Sequence, residues 1–186
     1  MESNTFRELY INELQDLYDA ENQLIEALPK MAEASSSAEL RAGFEAHLKQ
    51  TRGHAMRLEQ ILAALGEDAK GTKCKAMKGL VAEGGEMIDS DFEGAVKDAG
   101  LIGAAQRVEH YEIAAYGTAR TFAEILGDQA GVRLLDQTLE EEKETNDKLT
   151  ELSENINAEA SGSVAPLDED ASELQQPKRK AKSAGR

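Results

Sequence analysis

Six ionisable side chains stand where this chain would be expected to carry only Leu, Ile or Ala: Glu21, His47, His54, Glu109, Glu112 and Glu142. Each falls on a stripe of apolar residues with helical spacing, near the middle of its segment. Taking a lone carboxylate out of water costs several kcal/mol unless it is paired, protonated or bound to a cation. Carboxylate oxygens and imidazole nitrogens gathered at one level form a donor set suited to iron or manganese. The same groups could instead satisfy one another as a hydrogen-bonded carboxylate–His network without an ion. His47 reads either as a hydrogen-bonded core histidine or as a ligand, and Glu109 either as a ligand or as a group flanking the site.

Long helices must position these groups. The first stripe is Tyr10, Leu14, Leu17, Glu21, Leu24, Leu28 and Met31, in steps of four and three. It predicts a helix from about Thr5 to Ala34, with Pro29 bending the last turn or ending its hydrogen bonding early. Ser36 and Glu39 are spaced as a capping box for a second helix, which carries Leu40, Phe44, His47, Thr51, His54, Leu58, Ile61 and Leu65 and stops at Gly66. A loop at 66–73 and a shorter helix from about Cys74 to Ile88 follow. A third long helix is expected from about Asp98 to Leu126, and Gly127 and Asp128 cap the turn into a fourth. That last helix carries Leu135, Leu139, Glu142, Asn146, Leu149 and Ile156.

Short loops make each pair of long helices an antiparallel hairpin, and roughly 30 residues with a short fifth helix join the two hairpins. The expected fold is therefore all-α, a four-helix bundle with one long crossover. The bundle should occupy residues 1–157. Residues 158–186, polar and without a stripe, read as a disordered tail.

The two halves also repeat. Glu21 is followed 29 residues later by Gln50 and then His54; Glu112 is followed 30 residues later by Glu142 and then Asn146. Residues four apart share a helix face, so each half can bring its groups to one ion. This pseudo-twofold plan is that of dinuclear carboxylate bundles. The strings DLYDAENQLIEALPKMAEA, HLKQTRGHAMRLEQI, AAQRVEHYEIAAYGT and TLEEEKETNDKLTEL closely resemble the YciE/YciF-like bacterial stress proteins of the ferritin-like superfamily, over about residues 4–156.

The resemblance implies a ferritin-like bundle, a homodimer, and a metal site with one or two ions of iron or manganese. Its ligand positions fall on Glu21, Gln50, His54, Glu109, Glu112, Glu142 and Asn146. Glu21 and Glu112 match the helices that give one Glu, and Glu142 matches a bridging Glu. Gln50 stands where the second bridging carboxylate is expected. His54 and Asn146 follow their partners by four residues rather than three. A single metal near Glu142, Glu112 and Glu21, assisted by His54 or His47, is the simpler expectation.

Net charge is −15, a sign that repels phosphate backbones, so nucleic acid is not an expected partner. No stretch reaches the apolar length of a membrane span, and the N-terminus has no secretory pattern. The single Cys74 rules out an intrachain disulfide; the cytoplasm is the expected compartment. No nucleophile motif or phosphate-binding Gly loop is present. Two functions stay open: a metal- or oxidant-handling protein, in which bound iron would reduce oxygen or peroxide, and a stress-associated assembly protein with a degenerate, metal-free site.

Overall fold

The computed structural model describes residues 5–162, which form five helices and no strand. Helix α1 (Phe6–Ala34) opens on a capping box. Thr5 Oγ1 accepts from the Glu8 N–H at 3.2 Å, and Glu8 accepts in return from the Thr5 N–H at 2.8 Å. Pro29 removes one helical donor, yet the helix continues to Ala34 without a break.

Helix α2 (Ala38–Leu65) is capped by Ser37, whose side chain accepts from the Leu40 N–H, and the expected Ser36/Glu39 capping box does not form. The reason lies far away in sequence. The Asp98 carboxylate accepts the backbone N–H groups of both Ser36 and Ser37, at 2.8 and 2.7 Å, and holds the turn one residue out of the predicted register. Helix α2 ends at Gly66, in the left-handed region with φ 78°, which a residue without Cβ adopts at least cost.

Cys74 caps α3 (Lys75–Asp89) through its Sγ. Helix α4 (Gly94–Leu126) starts before the predicted Asp98. That residue is buried inside the helix as the acceptor for the α1–α2 turn. Gly127 closes α4 with φ 74°, and Asp128 caps α5 (Gln129–Gly162) by accepting the Gly131 N–H at 2.9 Å. Helix α5 passes the boundary expected at Asn157. Residues 158–162 are therefore its end, and the remainder of the predicted tail, 163–186, lies outside the described residues.

The long helices pair as the hairpins α1/α2 and α4/α5, while α3 packs across α1 and α4. The apolar core is split in two. One cluster gathers Leu24, Leu28, Leu40, Phe44, Leu101 and Leu149; the other gathers Tyr10, Leu14, Leu58, Leu62, Ala119 and Leu135. A polar level separates them. None of the described helices is long and apolar enough to cross a membrane.

Candidate metal centre

The polar level takes Glu21 from α1, His47, Thr51 and His54 from α2, Glu109, Glu112 and Tyr116 from α4, and Thr138, Glu142 and Thr145 from α5. Every one is buried. Residues seven apart return to the same helix face, which is why His47 and His54 both point into the bundle with their ring centres 6.2 Å apart.

Their ligand atoms converge in two groups, each within 4.8 Å: His47, Glu109, Glu112 and Glu142, and Glu21, His54 and Glu142. Glu142 belongs to both. His54 Nδ1 lies 2.9 Å from Glu142 Oε1 and 3.5 Å from Glu21 Oε1. His47 Nε2 lies 3.3 Å from Glu109 Oε1 and 3.9 Å from Glu142 Oε2. These are ion-pair distances without hydrogen-bond alignment: His47 Nε2, His54 Nδ1 and both oxygens of Glu142 have no hydrogen-bond partner.

Contacts around the level orient the rings. His54 Nε2 meets Glu141 Oε2 at 2.9 Å, leaving Nδ1 facing Glu21 and Glu142. Glu141 is itself gripped by Arg57 through two bonds of 2.8 Å, and Gln137 adds a third. Thr145 Oγ1 sits 3.3 Å from His47 Nδ1, leaving Nε2 for the carboxylates. Tyr116 donates its hydroxyl to Glu21 Oε1. Outer contacts of this kind set the tautomer and direction of a metal-binding histidine.

Electrostatics separates the groups further. Burial pushes the Glu109 and Glu112 carboxyls well above the usual carboxylate range, and the negative charge of Glu142 pushes them further. Burial also raises Glu21, against the pull of His54. His47 is lowered, chiefly by burial. Burial alone would lower His54 too, but its contacts with Glu142 and Glu21 prevail and raise it to about 10. Glu141 goes the other way: burial opposes ionisation, but the hydrogen bonds from Arg57, Gln137 and His54 bring it down to about 2.

Among the residues expected from sequence, Glu21, His54, Glu109, Glu112 and Glu142 meet at one level. Gln50 is half-buried and shares a small cavity with His47 and Glu109. Asn146 is also half-buried, with its Oδ1 buried and without a hydrogen-bond partner. His47, for which the sequence left a core histidine and a ligand both open, belongs to the larger group with Glu109, Glu112 and Glu142. Glu141 was missed because it lies off the apolar stripe. Tyr116 hydrogen-bonds a site residue, whereas Tyr18 donates to Glu59 and Tyr111 to Asp16.

The family described as "Domain of unknown function (DUF892)" matches residues 5–161. The chain is 46% identical over 162 residues to Protein YciF of Escherichia coli (strain K12), covering 86% of this chain and 98% of that protein. The crystal structure of the E. coli stress protein YciF aligns with a TM-score of 0.81, covering 84% of this chain and 99% of that one. The structure of YcfI from Rhodopseudomonas palustris aligns at 0.77 with 40% identity, covering 80% and 95%. A two-domain protein from Anabaena variabilis, one of whose domains is ferritin-like, aligns at 0.57 with 18% identity over 98% of this chain and 43% of that chain, a likeness of fold alone.

Proposed function

The chain belongs to the DUF892 family, and on that footing we propose that it is a stress-associated, ferritin-like metal-binding protein holding iron or manganese in its bundle core. One observation carries the reading. Among the described residues, nine buried side-chain N and O atoms lack hydrogen-bond partners, and eight belong to Glu21, His47, His54, Glu109, Glu112 and Glu142. Native interiors leave few such atoms, because each costs roughly 1–3 kcal/mol and more when charged. One or two cations held among them would satisfy most of these atoms.

The donor set fits. Carboxylate oxygens and imidazole nitrogens suit iron and manganese, and no soft sulfur ligand is present at this level. Glu21 and His54 would hold an ion on one side and His47, Glu109 and Glu112 on the other. Glu142, which belongs to both groups, is placed for one ion or to be shared by two. Bound iron or manganese would supply redox chemistry toward oxygen-derived oxidants. The protein's own part is to exclude bulk water, to fix both histidines by Thr145 and Glu141, and to hold Glu21 by Tyr116. The reading includes a homodimer in the cytoplasm.

The alternative, a metal-free assembly protein, is favoured by the amides Gln50 and Asn146 standing where ligands are expected. Melting curves separate the two. A ligand that binds only the folded state stabilises it by about 2.7 kcal/mol at a hundred times its Kd. Chelated protein should melt several degrees lower than protein given Fe(II) anaerobically or Mn(II). Equal melting temperatures would favour the metal-free reading.

A further inference from the structure

A groove of about 200 Å³ runs along the outside of the bundle, between α3 and the helices α1 and α4. Its floor is apolar, formed by Leu24, Met31, Leu80, Val81, Ile88 and Val108. Two adjacent glycines within α3, Gly84 and Gly85, also line it. Glycine is the least favourable helix residue after proline, and a Cβ at either position would meet nothing within 4 Å. No neighbour among the described residues therefore requires a glycine there. What the pair does is keep the groove open.

The groove has a direction. Hydrogen bonds tie Cys74, at the start of α3, to Asp19 and Gln23 within α1. At the other end Lys97, in the first turn of α4, donates to the Ile88 carbonyl at 3.0 Å. The Ile88 end therefore lies where α1 stops and α4 starts. Helix α5 finishes at that same end of the bundle: Asn155, Ile156 and Glu159 share a surface cleft with Ser36, Ser37 and Gly94. The charges at this mouth are mostly acidic, with Glu26, Glu33, Asp89, Asp91 and Glu93 against Lys30 and Lys97.

The chain beyond Gly162 has the complementary make-up. After the apolar Leu174 come Lys178, Arg179, Lys180 and Lys182, with no acid among or after them. Leu174 stands twelve residues past Gly162. Twelve residues reach about 40 Å when extended, and crossing two helices of a bundle takes roughly 20 Å. A groove this small seats one or two side chains. That is too little for a separate protein, since a stable complex buries roughly 800 Å² on each partner. A segment tethered to the same molecule meets the groove at an effective concentration in the millimolar range. We infer that the groove is the docking site of the chain's own residues 171–182, with Leu174 on the apolar floor and Lys178 to Lys182 at the acidic mouth. Docked there, the segment straps α3, of which only Met77 and Gly84 are buried, onto the helices that carry Glu21, Glu109 and Glu112. The docking is independent of the metal-centre reading.

The test uses the metal-free full chain with labelled Leu, Val and Ile methyl groups, read by NMR. Nuclear Overhauser contacts should link the Leu174 methyls to those of Leu80, Val81 or Ile88. Leu174→Ser lies outside the described helices, so their own packing is untouched. It should shift the Leu80, Val81 and Ile88 methyls and leave Leu14 and Leu62, packed in the other core cluster, in place. Gly85→Leu fills the groove from α3 and should abolish the Leu174 contacts. A mixture of separately labelled chains distinguishes the chain's own segment from that of a second copy. No contact from Leu174 to α3, contacts that survive Gly85→Leu, or contacts only between different chains would overturn the inference.

Discussion

The two sides of the centre are built differently. On the α1 side, Glu21 takes a hydroxyl from Tyr116, and His54 is tied to Glu141, itself gripped by Arg57. On the α4 side, both oxygens of Glu112 and one of Glu109 are buried without a hydrogen bond. The α1 side is ordered largely by protein contacts, with only Glu21 Oε2 and His54 Nδ1 left unpartnered among its groups. The other depends on protons or a cation for its neutrality. The contrast shows that burial by itself does not make a ligand: the α1 side is held ready in a fixed geometry, while the α4 side stores the electrostatic cost that an ion would relieve.

Replacing one carboxylate on each side should break the symmetry most visibly. In metal-free protein, Glu112→Met removes a buried carboxyl that nothing hydrogen-bonds and should stabilise the fold by about 1–4 kcal/mol. Glu21→Met leaves the Tyr116 hydroxyl without its acceptor and should destabilise it by about 1–3 kcal/mol. Urea unfolding at neutral pH reads both. Shifts of the same sign would erase the distinction between the sides.

A smaller effect is expected from the support of His54. Glu141→Ala should weaken metal binding by about 10–100-fold, whereas Glu141→Gln, whose amide oxygen still accepts from Nε2, should recover much of the loss. Equal affinity in all three proteins would mean that Glu141 only ties α2 to α5.

The pH dependence sharpens the comparison further. Glu109 and Glu112 have raised folded-state pKa values, so in metal-free protein their stabilising contribution is full below the unfolded carboxylate range and fades as pH rises through the folded values. Metal must displace the same protons, so its binding strengthens with pH. The melting gap between loaded and metal-free protein should therefore widen from about pH 5 to about pH 8. A gap that stays constant would place the ion away from these carboxylates.

The helical stripes made much of this legible in the sequence. Steps of three and four placed Glu21, His54, Glu109, Glu112 and Glu142 on inward faces, and the structure buries all five. What escaped were contacts between residues distant in the chain. Ser37 rather than Ser36 caps α2 because Asp98, some sixty residues on, captures both amides. His47 could not be told from an ordinary core histidine until α4 brought Glu109 to its side. Glu141 lies one position off the stripe, and only the neighbouring α2 gives it His54 and Arg57 as partners. Gln50 matched its position in the repeat, but repetition along the chain says nothing of which cavity a side chain lines.

The shared position of Glu142 gives the most direct test of a metal centre. Chelated protein and its Glu142→Ala variant would be titrated anaerobically with Fe(II), and separately with Mn(II), by calorimetry. Wild-type protein should saturate at one or two ions per chain with a Kd well below about 1 mM. Glu142→Ala should lose that binding while keeping its helical circular dichroism. No saturable binding by wild type, or binding unchanged in Glu142→Ala, would contradict the account.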